Sequence, residues 1–111
     1  MAVMSPLLVF EKDDKSMRQI GDPSRIGILE AIDNVNGEYV FWDSNGNGVL
    51  VAASVNTFRS KIGDMTSCAP LFPLRDAFSL HAKTLGLADF DVGGLPNEVW
   101  RQIQEELKRR L

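Results

Sequence analysis

Chemistry in this chain would have to come from very few side chains. His81 is the only histidine and Cys68 the only cysteine, so acid–base work near neutral pH falls to His81 or to a carboxylate with a raised pKa. A cysteine nucleophile needs a base and an electropositive setting. The neighbours of Cys68, namely Thr66, Ser67, Ala69 and Pro70, offer neither, and only an approach of His81 in space would make a Cys–His pair. The plainer reading makes Cys68 a small apolar filler and His81 a half-buried residue beside a helix stripe. One histidine also excludes a histidine-rich metal site.

The string Asp43-Ser44-Asn45-Gly46-Asn47-Gly48 matches the first six positions of a D-x-[DN]-x-[DN]-G calcium loop, with Leu50 at the apolar eighth. The match ends there. The twelfth position, which needs a bidentate carboxylate, is Ser54, and the ninth is Val51. Asp43, Asn45 and Asn47 would therefore hold calcium weakly. A hairpin turn selects the same residues, because Asn and Gly adopt positive φ at little cost, and the turn is the favoured reading. Asp89 and Asp91 flank Phe90 beside Gly93 and Gly94, where turn capping is the simpler role than paired-carboxylate hydrolysis. No phosphate-cradling loop, nucleophile elbow or zinc spacing occurs, so no cofactor is expected.

Composition narrows the class. The 111 residues suit one domain spanning 1–111, since two separate cores would each be too small without disulfides or metals. Apolar residues make up 44% and charged residues 24%, ordinary values for a globular chain. The net charge is −3. Without a basic face to neutralise phosphates, nucleic acid is not an expected partner. A lone cysteine rules out an internal disulfide, and the only early apolar run, Leu7 to Phe10, is too short for a signal peptide or membrane span. A cytoplasmic protein with no membrane partner is the expectation.

The elements that must position these residues centre on Tyr39 to Ala53. Tyr39-Val40-Phe41-Trp42 and Val49-Leu50-Val51-Ala52 flank two Asn-Gly dipeptides, a β-hairpin signature. Both strands are apolar on both faces, so the hairpin must be covered on two sides or lie in an interface. Leu7-Leu8-Val9-Phe10 reads as a strand, with Ser16 to Ile20 as its candidate return strand. Asp22 as N-cap and Pro23 at the first helical position predict a helix to about Asn34, with Ile26, Leu29, Ile32 and Val35 as its apolar stripe and Asn36-Gly37 as its stop.

A short helix from Ser54 to Gly63 is expected next, on Val55, Phe58 and Ile62. The segment 64–72 then reads as a long, unusually apolar connection that tucks into the core or faces a partner. A helix opening at Pro73 carries Leu74, Phe78, Ala82 and Leu85 and ends at Gly86. A last helix from Pro96 carries Val99, Trp100, Ile103, Leu107 and Leu111. Glu105 with Arg109 and Glu106 with Arg110 are its candidate i,i+4 pairs.

The expected fold is α+β: a small, mainly antiparallel sheet, made of the N-terminal strand or hairpin and the hairpin at 39–53, packed by three to four helices. Two functions fit. The first is a non-enzymatic interaction module of the accessory, inhibitor or immunity type, bacterial in character, binding another protein or itself as a homodimer. Tyr39, Trp42, Met65, Leu71, Phe72 and Trp100 are its candidate contacts. The second is a small-ligand pocket or modest enzyme, with Cys68, His81, Trp42 and Tyr39 lining a cavity between sheet and helices.

Overall fold

A computed structural model describes residues 3–52, 59–70, 72–87 and 94–110. Its strands are β1 (Leu7–Glu11), β2 (Ser16–Ile20), β3 (Tyr39–Trp42), β4 (Gly48–Val51) and β5 (Met65–Cys68), and its helices are α1 (Ile28–Val35), α2 (Leu74–Thr84) and α3 (Pro96–Arg110). The class is α+β. The strands form one antiparallel sheet in the order β2-β1-β3-β4-β5.

Consecutive apolar residues are possible in β1 and β3 because helices cover both sheet faces. Leu8, Phe10, Met17, Val40 and Trp42 meet Ala77, Phe78 and Ala82 of α2 and Val99 and Ile103 of α3. On the opposite face Leu7, Val9, Ile20, Phe41, Val49, Val51 and Met65 meet Ile26 and Ala31. The central hairpin is thus covered on two sides within one chain, except at Leu50 of β4, which is 38% exposed.

The same cover explains β2. Met17 pairs with Phe10 and Ile20 with Leu7, so these residues, three apart, serve opposite faces and need not alternate. At the β3–β4 turn, Gly46 has φ +86°. Gly48 is required for space: a Cβ there would lie 2.9 Å from Ala69 O and Pro70 Cα.

Several expectations need correction. The stretch 64–72 is not one long connection, because Met65 to Cys68 pair with β4 as an edge strand. Met-Thr-Ser-Cys carries too little apolar alternation to announce this. Half of the helix expected from Ser54 to Gly63, residues 54–58, lies outside those described; beyond them Arg59 bridges Gly27 and Ile62–Asp64 is a single 3₁₀ turn.

The helix expected from Pro23 breaks in two. Asp22 does cap, its Oδ1 accepting from Ser24 N at 3.0 Å, but Pro23–Arg25 is only a 3₁₀ turn. Helix α1 starts afresh after Gly27, and the interruption resets its helical phase. Ile26 is fully buried ahead of it, whereas Leu29, Ile32 and Val35 are 73%, 40% and 56% exposed. The expected core stripe of α1 faces outward.

Helices α2 and α3 follow their patterns. Gly86 has φ +80°, and Leu87 N donates to Ala82 O and Gly86 N to Lys83 O, which is the Schellman arrangement with buried Leu87 as its hydrophobic contact. Val99 and Ile103 of α3 are buried; Leu111 is outside the described residues. Of its expected ion pairs, Glu106 with Arg110 forms, and Glu106 also takes Arg109; Glu105 takes Arg101 instead of Arg109.

Candidate functional site

What turns α1 over is a polar side chain. Tyr39 and Val51 would continue the β3–β4 ladder, but the paired register covers only Phe41 with Val49 and Trp42 with Gly48. Asn34 reaches into that opening. Its Nδ2 donates to Tyr39 O at 2.8 Å and its Oδ1 accepts from Val51 N at 2.8 Å. One fully buried amide thereby supplies a donor and an acceptor to two strands. Such groups are costly to leave unpaired.

With Asn34 fixed inward, Ala31 is the other buried residue of α1. At about 100° per residue, Leu29, Ile32 and Val35 then share about 120° of the outer surface. Polar groups sit beside this helix on the sheet side. Arg18 lies 3.8 Å from Glu11 and 3.5 Å from Glu30. Burial, only partly offset by Arg18, pushes the Glu11 carboxyl above its usual range. Burial first and Glu11 second raise the Tyr39 phenol.

A second polar feature lies on the opposite face of the sheet, against β2. His81 on α2 is 6% exposed, accepts at Nδ1 from Met17 N at 3.1 Å, and stacks on Trp100 with ring centroids 5.8 Å apart. Burial lowers its pKa from the ordinary 6.5.

These positions separate the residues that were candidates for one catalytic site. His81 stands against β2 and Cys68 is on β5, the two ends of the sheet, so four strand spacings of about 4.8 Å put them about 19 Å apart. They make no Cys–His pair. Trp42 belongs to the α2–α3 side and Tyr39 packs on the α1 side, so the two line no common cavity between sheet and helices.

No family model matches this chain, and no curated protein or solved structure matches it.

Of the candidate contact residues, Trp42 and Met65 are buried in the chain's own core. Tyr39 is half-buried against the α1-side cluster. Phe72 is half-buried, stacked on Phe10 with centroids 5.5 Å apart and with Lys12 Nζ 5.7 Å above its ring. Trp100 is half-buried on His81, and Leu71 is outside the described residues. The exposed apolar surface on α1 was missed because Leu29, Ile32 and Val35 have core spacing. The signal that could have found it is the pair Ala31 and Asn34, three apart in the same helix.

Asp43 sits where a turn needs it. It is fully buried, with Oδ1 accepting from Asn45 N and Asn47 N at 3.0 Å each and Oδ2 from Met4 N at 3.5 Å. Its lone pairs face backbone donors, which supports the turn over the cation loop. Among the described residues no group of three or more His, Cys, Asp or Glu could hold a metal ion, and no helix is long and apolar enough to cross a membrane.

Proposed function

We propose that the protein acts by association rather than catalysis, as an interaction module whose contact surface is the outer face of α1 and whose occupant is a second copy of the chain. The observation that carries this reading is the inverted helix: Asn34 and Ala31 face inward while Leu29, Ile32 and Val35 are exposed. An amphipathic helix ordinarily buries its apolar stripe. Scattered exposed apolar residues are common, but three on one arc of one helix form a patch that water disfavours.

A two-fold contact presents the same patch from both subunits, so each apolar side chain is used twice. An α1 of eight residues spans only about 12 Å, less than a standard interface needs. The contact must therefore extend past the helix. Ile62, 46% exposed, is suited to extend it, since it lies three residues after the Arg59 bridge to Gly27 at the start of α1.

The test is molar mass by light scattering across a concentration series, for wild type and Ile32→Asp. A dimer that Ile32→Asp converts to a folded monomer supports the reading. A wild-type monomer at every concentration overturns self-association and leaves the patch to a different protein; a dimer that survives the substitution removes α1 as the contact.

A further inference from the structure

The outer edge of β2 is held by a titratable group. Among the described residues β1 is the only strand beside β2, and the Met17 N–H donates away from it, into Nδ1 of His81. This bond fixes the state of the ring. An accepting Nδ1 carries no proton, so the proton of the neutral imidazole is on Nε2, which is buried and has no hydrogen-bond partner among the described residues. A second proton would have to go onto Nδ1, where it would meet the Met17 N–H donor head-on.

We propose that His81 is an acid-releasable latch, holding α2 over the free edge of β2 when neutral and letting go of the Met17 N–H when protonated. Release would uncover an edge able to pair with another strand, the liability that sheet proteins commonly cover.

The surroundings give the cation little compensation. One turn either side of His81 on α2 are Ala77, Phe78, Thr84 and Leu85, and one turn either side of Trp100 on α3 are Pro96, Asn97, Ile103 and Gln104; none is charged. On β2 the neighbours of Met17 are Ser16 and Arg18, and Arg18 is engaged with Glu11 and Glu30. The face of Trp100 can favour a cation but supplies no acceptor. Burial alone accounts for the lowered pKa of His81, so the unfolded or opened chain takes up the proton first. The latch is closed above about pH 6.5 and weakens as pH falls below it.

The experiment is amide hydrogen exchange at Met17 by NMR, corrected for intrinsic rates, from about pH 7.5 to about pH 4.5. It is run on the full chain and on His81→Asn, whose Oδ1 takes the place of Nδ1 as acceptor without titrating. In the wild type, opening at Met17 should rise about tenfold per pH unit below about 6.5 until the lowered folded value is reached. In His81→Asn it should stay flat. Protection that is constant in the wild type, or that falls equally in the variant, overturns the latch. If the variant folds poorly, the imidazole ¹⁵N shifts of the wild type decide. An Nε2–H tautomer that titrates together with the loss of Met17 protection supports the proposal; an Nδ1–H tautomer, or titration at or above 6.5, overturns it.

Discussion

Helices α1 and α3 carry apolar residues at the same kind of spacing and use them in opposite directions. In α3 Val99 and Ile103 are 2% and 0% exposed, while in α1 Leu29 and Val35 are 73% and 56% exposed. Length and environment explain the difference. Helix α3 has fifteen residues, and its apolar stripe packs it on the sheet, beside one exposed hydrogen bond from Gln19 Nε2 to Asn97 Oδ1. Helix α1 has eight, and its position is set by an amide that completes two strands. Periodicity says that a stripe exists; a buried polar bond can decide which way the helix turns it.

The strongest way to break this contrast is Asn34→Ala. It leaves the Val51 N–H and the Tyr39 C=O without their partner, at about 1–3 kcal/mol for each buried group, so urea unfolding should show a loss of about 2–6 kcal/mol. A loss under about 0.5 kcal/mol, the range of an ordinary surface change, would mean that the amide does not hold α1.

Second in size is the pH response. His81 has its folded pKa below the 6.5 of the unfolded chain, so its contribution is complete above about pH 6.5 and is lost as pH falls towards the folded value. His81→Asn should flatten that segment of the stability curve, and identical curves for the two proteins would count against the buried neutral ring. Smallest is the end of α3, where hydrogen bonds from Arg109 and Arg110 hold the Glu106 carboxyl at about 2. Its ordinary value is 4.5, so this contribution is present above pH 4.5 and fades as pH falls to about 2. Glu106→Gln should cost no more than a surface ion pair, visible as fraying of the last turn in circular dichroism. Helix α1 has no basic residue in its last turn and should show no such acid fraying.

Much of the fold was legible because it rests on local chemistry. The Asn-Gly turn, the Asp22 cap, the Gly86 stop and the stripes of α2 and α3 act within a few residues of themselves. What was not legible depends on distant partners. Strand β5 is recognisable only by its pairing with β4. The facing of α1 depends on Asn34 meeting Tyr39 and Val51, the latter seventeen positions away. Of the site, His81 was expected to be half-buried beside the α2 stripe and is 6% exposed instead, because its ring meets Met17, sixty-four positions earlier. Trp42 and Met65, expected as contacts or pocket walls, are core residues because the sheet is covered on both faces.

The most direct test of the account uses one substitution in two places: Ile103→Ala in α3 and Ile32→Ala in α1, each measured by urea unfolding at a dilution where the chain is monomeric. Ile103 is fully buried and Ile32 is 40% exposed. The expected losses are about 2–5 kcal/mol for Ile103→Ala and within about 0.5 kcal/mol for Ile32→Ala. Equal losses at the two positions would place Ile32 in the core and contradict the outward face of α1.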